Sequence, residues 1–505
     1  MHLGPSVQFD ETRRARATRI LTGEVAFSTA ADTMMGGVML TALALHLGAS
    51  NALIGALAAV TFWAQLLQGP GVVLVERLRA RKLITVVTSL VSAIAPVLMG
   101  LLAFVPAGKP AQAGAILAVT IYTGAGAIGG CAWNAWARDA ISDDSRGRFT
   151  GRRSALSSAV GIALGLLAAW LLDRAPEGDP ARAAVFAGLF GLAFLAEVAS
   201  AWALARTPEP PMPPPPKEPA RLLPLLREPL RHPNYRRLIA FLASWQFAVN
   251  LAQPFFTVFF LKQLGFQMTF AMVLSLINQF ATMLTLGRWG RLADRFNNKS
   301  VLNVSAPVFI ACIAAMVLAS QIESRAWTAA YLIALNLIMG AASAGVVLAS
   351  GNIAQKLSPP GAAASFLAVN ALISSAAAGL ASLLGGLAAD AVAKRALAAV
   401  LQWQGPHYVG AMELTIDHWD FYFLNSALLG LYALHRLALV REEGELDRRA
   451  MLDQILHHHH SRPAPVHLTG LKALSEAPWH MMMQAAAQRR QRALDRHRAR
   501  HERRT

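Results

Sequence analysis

The chain has 505 residues, of which 55% are hydrophobic and only 15% are charged, and its formal net charge is +17. A chain this long and apolar, with its charges in clumps, is not an ordinary soluble domain. The excess of Lys and Arg does not call for a nucleic-acid partner, because it lies mostly in connections and in a basic tail, as membrane insertion favours. We therefore predict an all-α polytopic membrane protein.

About twelve apolar runs are long enough to cross a bilayer as helices, since a hydrocarbon core of roughly 30 Å takes about 20 residues. The runs are continuous rather than alternating, which excludes the strands of an outer-membrane barrel. The first run follows a polar segment, lacks a cleavage site and is expected to remain as the first helix. The predicted spans are 20–46, 51–75, 83–105, 113–137, 152–172, 183–205, 237–261, 268–289, 300–320, 326–350, 362–389 and 419–440.

Charge and proline content divide the chain into five parts. Placing the N-terminus inside puts most Lys and Arg on the cytoplasmic side, so we predict a multi-pass protein of the cytoplasmic (inner) membrane with both termini cytoplasmic. The central connection contains MPPPPKEP, whose prolines favour an extended, semi-rigid linker. The parts are a cytoplasmic N-terminal segment (1–19), a first six-helix bundle (20–205), the Pro-rich linker (206–236), a second six-helix bundle (237–440) and a basic cytoplasmic tail (441–505).

A charged connection follows the second helix of each predicted half. In the second half it reads GRLADRFNNK at 290–299, which resembles the loop signature G-x-L-A-D-R-F-G-x-K of the major facilitator superfamily. Asn297 replaces the usual glycine, and Asn also tolerates a left-handed backbone. The copy in the first half is poorer: Glu76 and Arg77 stand for the acid–base pair, while Arg79 occupies the glycine position.

A second motif follows the fourth predicted helix. The stretch DAISDDSRG at 139–147 resembles the acid-x₆-R-G pattern of sugar porters and their relatives, with Asp139, Arg146 and Gly147 matching and Ser142 where proline is usual. The resemblance is to the superfamily far more than to sugar transport. It implies two six-helix bundles around a central cavity near the midplane of the bilayer.

The resemblance also implies a conformational latch on the cytoplasmic side. We expect the Asp294 carboxylate to lie near the positive N-terminal end of the fifth helix, which we predict to start near Arg152. An alternative for the basic residues is that they only anchor the loop inside. The candidate latch residues are Asp294, Arg295, Glu76, Arg77, Asp139, Arg146 and Arg152.

Acidic residues within the predicted spans are the candidates for proton coupling or substrate binding, because ionisable groups in a bilayer are costly and usually functional. Asp32 lies about 18 Å along the first helix, close to the midplane. Glu24 is nearer the inner surface and can reach lipid headgroups. Glu197 is mid-span in the sixth helix, at a position that in the superfamily more often faces support helices. The alternative for each is a hydrogen-bonded carboxyl without a transport role.

By the same resemblance, the first, fourth, seventh and tenth helices line the cavity. Each polar side chain there is either a substrate contact or a hydrogen bond between helices. Pro254 should interrupt the seventh helix, as a hinge or as a passive kink. No Lys or Arg falls mid-span, which favours neutral or cationic cargo. The candidate cavity residues are Asp32, Tyr122, Trp133, Asn134, Trp245, Gln246, Asn250, Gln253 and Asn336.

Two functions remain open on the sequence. The first is a proton-coupled secondary active transporter that works by alternating access, and the second is a non-transporting receptor or assembly factor of the same fold. No glycine-rich run ends in Gly-Lys-Ser/Thr, so an ATP-driven pump is unsupported. The two cysteines and the HHHH run at 457–460 lack the spacing of a defined metal site. We expect a monomer without enzymatic activity, cofactor or metal, with a small-molecule substrate, protons and membrane lipids as partners and no nucleic acid.

Overall fold

A computed structural model describes residues 9–175, 178–212, 222–359, 362–392, 397–405, 408–416 and 418–442. The first eight residues, the proline run of the linker and residues 443–505, which include nearly all of the predicted basic tail and its histidine run, lie outside the described residues.

The first half of the chain forms six helical elements. The element α1 is helical over Glu11–Met35 and Gly37–His46, with an interruption at Gly36. The five that follow are α2 (Asn51–Leu78), α3 (Arg81–Leu102), α4 (Lys109–Ala140), α5 (Asp143–Asp173) and α6 (Pro180–Arg206).

The second half repeats this pattern after a short linker helix, Leu222–Arg231. Its first five helices are α7 (Pro233–Gln263), α8 (Met268–Phe296), α9 (Asn298–Gln321), α10 (Arg325–Lys356) and α11 (Ala363–Val392). An antiparallel hairpin of β1 (Leu397–Gly405) and β2 (Tyr408–Ile416) precedes the last helix, α12 (His418–Ala438). The sequence did not predict this hairpin, which lies in the connection between two spans.

Among the described residues, ten helices, α2 to α11, are long and apolar enough to cross a membrane. The elements α1 and α12 cover the first and last predicted runs. The predicted fold class, an all-α membrane protein with two six-helix bundles, is confirmed.

Several helices extend beyond the apolar runs. Asp10 caps the start of α1, with its Oδ1 accepting a hydrogen bond from Arg13 N at 2.9 Å. The start of α5 is Asp143, so the prediction that this helix starts near Arg152 is wrong. A hydropathy run marks the hydrocarbon, whereas a capped helix continues into the polar region.

The linker also differs from the prediction of an extended connector, because Leu222–Arg231 is helical and contains Pro229 inside the helix. Its sequence, LLPLLREPLR, places leucines at helical spacing along one side.

The two bundles meet through α2 against α11 and through α5 against α8. Small residues make the first contact close. A Cβ atom added to Gly55 would lie too near the Ser382 carbonyl oxygen, and one added to Gly386 too near the Asn51 carbonyl oxygen. Backbones can approach this closely only where side chains are absent.

Candidate functional site

The face at which α1 begins and α12 ends is called here the terminal face, and the other is the opposite face. The contacts between the bundles lie toward the opposite face. Along α5, the contact with α8 runs from Gly165, which packs on Met272, to Asp173 at the end of the helix. The cleft between the bundles therefore opens toward the terminal face.

Two carboxylates join the bundles at the opposite face. Asp173, at the end of α5, accepts hydrogen bonds from the backbone N–H groups of Met268 (2.7 Å) and Thr269 (2.8 Å). Each N–H group belongs to the first turn of α8, where backbone donors lack a partner within the helix. This contact both caps α8 and places a negative charge at the positive end of its dipole.

The second carboxylate repeats the arrangement with the bundles exchanged. Asp390, near the end of α11, accepts hydrogen bonds from Asn51 N and Ala52 N, both at 2.9 Å, at the start of α2. Deeper in the same interface, Trp63 Nε1 donates to the Ala376 carbonyl oxygen at 3.4 Å. Sequence analysis missed both aspartates, because in one dimension they look like ordinary charges at the end of a span.

Asp32 lies deep in α1 and is exposed to the open cleft. Its Oδ1 accepts a hydrogen bond of 2.6 Å from the Tyr122 hydroxyl of α4. Tyr122 also interacts with the Glu197 carboxylate of α6, which in turn accepts a hydrogen bond of 3.5 Å from the Ser89 hydroxyl. The structure thus brings together the predicted residues Asp32 and Tyr122 with Glu197.

Glu197 is 7% exposed and is enclosed by the first bundle, rather than facing its support helices alone. Its presence mid-span in α6 was visible in the sequence as a costly buried acid. Its neighbours were not visible, because they come from α3 and α4, which are distant in the sequence.

Glu24 is held inside the bundle and does not reach the lipid headgroups. Its side chain is buried and accepts hydrogen bonds from Arg153 Nη1 (2.9 Å) and from the Ser200 hydroxyl (2.8 Å). The same Nη1 atom donates to the Leu21 carbonyl oxygen at 2.7 Å. The Arg153 guanidinium stacks on Trp133, 4.3 Å from the ring centroid. Glu24 is therefore the partner of a fixed cation.

A pocket of about 500 Å³, the mouth pocket, opens between α1, α4 and α5 on the terminal side of the cleft. It contains the predicted cavity residues Trp133 and Asn134, together with Arg153. Its volume is within the range of small-molecule sites. The complete lining is Val25, Trp133, Asn134, Ala137, Arg138, Ile141, Arg146, Phe149, Thr150, Arg153, Ser154 and Ser157.

The predicted cavity residues of the second bundle are mostly turned inward. Trp245 packs between Phe241 and Phe309, with ring centroids 6.4 Å and 5.6 Å away. The Asn250 amide donates to Gln246 Oε1 at 3.0 Å. The side-chain amide of Asn336, on α10, donates to the Leu332 carbonyl oxygen at 2.9 Å.

Gln253 is exposed and is the first residue of the interruption in α7. The regular α-helix ends at Ala252, and a 3₁₀ turn, Gln253–Phe255, follows it. A single turn of α-helix and a π-helical segment, Phe259–Gln263, complete the element. Pro254 lies in the 3₁₀ turn, and its role as a hinge stays a prediction.

A cluster of charges fixes the start of α3 at the terminal face. Arg81 is 1% exposed and forms ion pairs with Asp139 at the end of α4 and with Glu209 after α6. Glu209 also accepts a hydrogen bond of 3.0 Å from Arg81 N, and Arg81 Nη2 donates to the Pro210 carbonyl oxygen at 2.8 Å. Burial raises the pKa of Glu209, although the Arg81 guanidinium opposes the shift.

The second bundle has an equivalent cluster at the start of α9. Glu442, after α12, accepts hydrogen bonds from Lys299 N (2.7 Å), Asn298 Nδ2 (3.1 Å) and Lys356 Nζ (2.9 Å). Burial acts to raise the pKa of Glu442, but these three donors outweigh it and hold the pKa below its usual value. Sequence analysis missed Arg81, Glu209 and Glu442, since each gains its role from a helix that is distant in the sequence.

The other candidate latch residues lie at the surface of the terminal face. Asp294, Glu76, Arg77 and Arg152 are exposed. Arg295 is also exposed, and its guanidinium lies 5.0 Å from the Phe296 ring centroid. Arg146 Nη2 pairs with Asp143 at 2.7 Å.

Backbone geometry supports the two loop motifs. Arg79 has φ of 49° and Asn297 has φ of 79°, and these are the non-glycine residues with positive φ in the part of the chain that the structure describes. They occupy the glycine position of the two motif copies. Both positions therefore have a positive φ, which glycine adopts most easily, although their ψ angles of 31° and 167° show that the two turns differ.

The sequence matches the family model of the Major Facilitator Superfamily over residues 25–382. This match covers more than half of the chain and spans both bundles, and the chain therefore belongs to the Major Facilitator Superfamily. Membership of this family confirms the resemblance seen in the loop motifs. None of the curated proteins compared with the sequence matches it significantly.

Solved structures share the fold at low sequence identity. The nucleoside transporter NupG has 14% identity and a TM-score of 0.58, and the match covers 85% of this chain and 100% of that chain. A bacterial homologue of the human lysosomal transporter Spinster, in an inward-facing and unoccupied conformation, has 16% identity and a TM-score of 0.59, covering 88% and 98%. An auto-inhibited peptide transporter of the POT family has 13% identity and a TM-score of 0.61, covering 85% and 98%.

Proposed function

We propose that this protein is a proton-coupled secondary active transporter of a small molecule, which works by alternating access in the cytoplasmic membrane with both termini inside. The single observation that carries the proposal is Asp32, an acid deep in a cleft that is open toward one face and closed at the other. Membership of a family of transporters and fold neighbours that carry nucleosides or peptides support it.

Alternating access needs two states of similar free energy. The closure at the opposite face rests on helix caps at Asp173 and Asp390. Contacts of this kind contribute about 0.5–2 kcal/mol each. Water can replace the carboxylate oxygens at an exposed helix end, so opening this face does not leave buried donors unpaired.

Closure of the terminal face would use other charges. In this proposal Asp294 engages the first turn of α5 when the cleft closes there, and the nearby Arg295, Glu76 and Arg77 adjust the same contact. Asp294 is exposed in the open state, so its carboxylate is available. We expect Asp294→Asn to slow transport without unfolding the protein, whereas unchanged uptake kinetics would remove Asp294 from the latch.

Proton coupling is assigned to Asp32 with Tyr122 and Glu197. A tyrosine hydroxyl between two carboxyl groups can donate to one while it accepts from the other when that one is protonated. Asp32 faces the cleft, and Glu197 is buried behind Tyr122. Glu24 is less suited to the role, because its carboxylate already accepts hydrogen bonds from Arg153 and Ser200.

The test begins with a thermal-shift screen of metabolites on the purified full-length protein, which identifies a binding compound. The protein is then reconstituted into vesicles that contain a pH-sensitive dye, and the compound is added. We expect proton movement with the wild type, its loss in Asp32→Asn, and normal movement in Asp144→Asn, which changes an exposed acid at the start of α5.

Each alternative gives a different result. Cargo uptake without proton movement would contradict the coupling. Binding without any uptake would favour the second candidate, a receptor or assembly factor that does not cycle. The sequence favours neutral or cationic cargo at the site around Asp32. The same screen tests this preference.

A further inference from the structure

The mouth pocket is rich in hydrogen-bond donors. Its lining includes three arginines, Arg138, Arg146 and Arg153, and no aspartate or glutamate. Hydroxyl groups of Ser154 and Ser157 and the amide of Asn134 add further polar groups. Ser157 Oγ accepts a hydrogen bond of 2.8 Å from the Thr29 hydroxyl. The Ser157 hydroxyl proton is not used in this contact and can be donated to another acceptor. A concave site of this composition has positive potential.

The three guanidinium groups differ in how firmly they are paired. Arg153 is held by buried Glu24, so its position is fixed. Arg146 pairs with Asp143, but both side chains are largely exposed, and such a pair contributes little and exchanges easily. Arg138 is exposed, and its guanidinium contacts no carboxylate of the described residues.

A second observation points to a ligand. The indole Nε1 of Trp133 is buried and has no hydrogen-bond acceptor among the described residues. Trp133 lines the mouth pocket and stacks on Arg153. A buried donor without an acceptor is destabilising. An oxyanion bound in the pocket could supply the acceptor that Trp133 lacks.

We propose that the mouth pocket is a binding site for a small molecule with a phosphate or carboxylate group. Arg138 and Arg146 bind the oxyanion through bidentate guanidinium contacts, and Arg153 and the Trp133 N–H form the rigid inner wall. The sequence concealed this site, because α5 begins at Asp143 and places Arg153 within the helix rather than at its start.

The experiment measures binding of pyrophosphate to the full-length protein in nanodiscs of phosphatidylcholine by isothermal titration calorimetry. We expect binding by the wild type and at least a tenfold increase in Kd for Arg138→Gln/Arg146→Gln. A matched control is Arg148→Gln/Arg152→Gln, which removes the same charge from exposed positions outside the pocket lining. It should change the Kd less than about threefold, because only screened long-range attraction is lost.

Trp133→Phe tests the indole N–H itself, since phenylalanine keeps an aromatic ring under Arg153. We expect a fivefold or larger increase in Kd, with the thermal stability of the unliganded protein unchanged or raised. Absence of pyrophosphate binding by the wild type would overturn the proposal. Equal losses in the pocket variant and the matched control would also overturn it, because binding would then follow net charge alone.

The anionic group could come from a soluble molecule or from a lipid headgroup. Nanodiscs that contain phosphatidylglycerol, analysed by native mass spectrometry, separate these sources. A retained phosphatidylglycerol that Arg138→Gln/Arg146→Gln loses would assign the site to a lipid headgroup. Pyrophosphate binding without retained lipid would assign it to a soluble anion. This experiment measures binding and not transport. A negative result therefore does not contradict the proposed transport function, which the vesicle experiment tests.

Discussion

Asp173 and Asp390 make the same contact in opposite bundles. Each lies at or near the end of a helix of its own bundle and accepts hydrogen bonds from the first two backbone N–H groups of a helix in the other bundle. The halves of the chain are repeats, so a contact between α5 and α8 recurs between α11 and α2. The opposite face is therefore closed by two equivalent caps.

Removing either cap should favour opening of the opposite face. We expect Asp173→Ala or Asp390→Ala to increase the population of the open state about 2- to 30-fold, the range given by the loss of about 0.5–2 kcal/mol. The measurement is the labelling rate of Ala42→Cys by an impermeant maleimide, in a protein with Cys131 and Cys312 replaced by alanine. Ala42 is 1% exposed and lines a cavity of about 370 Å³ beside Asp173.

The conservative variants Asp173→Asn and Asp390→Asn give the control for this prediction. An asparagine oxygen can still accept from a helix N–H group, so these variants should recover most of the closure. If alanine and asparagine variants labelled at the wild-type rate, the caps would not govern closure.

The close approach of α2 and α11 should tolerate no side chain at Gly386. A Cβ atom there would lie too near the Asn51 carbonyl oxygen and 2.8 Å from Ala52 Cα, and both are backbone atoms. We expect Gly386→Ala to separate the helices and to destabilise the closed state by about 1–3 kcal/mol. Labelling of Ala42→Cys would detect the opening.

Gly188→Ala is the matched control, since an added Cβ at Gly188 meets no atom within 4 Å. It removes the same backbone freedom from a helix without crowding the interface. Similar labelling of the two variants would show that helix propensity, and not the contact with α2, explains the effect.

Arg81 should be a major determinant of stability at the terminal face. Its removal takes away the guanidinium that pairs with Asp139 and buried Glu209, and loss of one partner of a buried ion pair destabilises by about 3–5 kcal/mol. We therefore expect Arg81→Gln to lower the thermal unfolding temperature of the purified protein. Arg77→Gln, which changes an exposed arginine in the last turn of α2, should leave the unfolding temperature nearly unchanged. Equal unfolding temperatures for the two variants would contradict this role.

We expect the contribution of Glu442 to the stability of the fold to depend on pH. Its pKa is lower in the folded protein than the ordinary value of 4.5, so its charged form stabilises the fold above that value. As the pH falls through the lowered pKa, the carboxylate is protonated and this stabilisation is lost. We expect Glu442→Gln to be less stable than the wild type at pH 7 and the difference to shrink below about pH 4.5.

The check is the unfolding temperature of both proteins between pH 7 and pH 3. Glu76→Gln, a change at an exposed acid, should follow the wild type throughout. A difference between Glu442→Gln and the wild type that stayed constant with pH would rule out the ionised carboxylate as its source.

The sequence supplied most of the fold, because a bilayer forces each long apolar run into a helix and the loop motif GRLADRFNNK identified the family. It also selected Asp32 and Tyr122, since polar side chains deep in a span are rare. It misjudged helix ends, as at Asp143, where hydrophobicity stops but helical hydrogen bonding continues. The hairpin β1–β2 was not predicted, because it lies in a connection between two spans, where hydropathy carries no signal for strand pairing.

Other parts of the site depend on how each helix is rotated about its axis and on which helices pack against it. Hydropathy gives no information on either. Asn250 and Asn336 were candidate cavity residues, but their amides bond within their own helices. Glu197 was expected to face support helices, and it instead interacts with Tyr122. A polar residue in a span is equally visible in the sequence whether it faces a cleft or a neighbouring helix.

By itself the sequence determined that this protein crosses a membrane many times and belongs to a two-bundle family, because local hydrophobicity and one short motif suffice for both. Only the tertiary structure decided which charges act together: Arg81 with Asp139 and Glu209, Arg153 with Glu24, and Asp173 and Asp390 with helices of the other bundle. The physical reason is that electrostatic and hydrogen-bond partners are set by distance in space. In a bundle, helices remote in the sequence provide them.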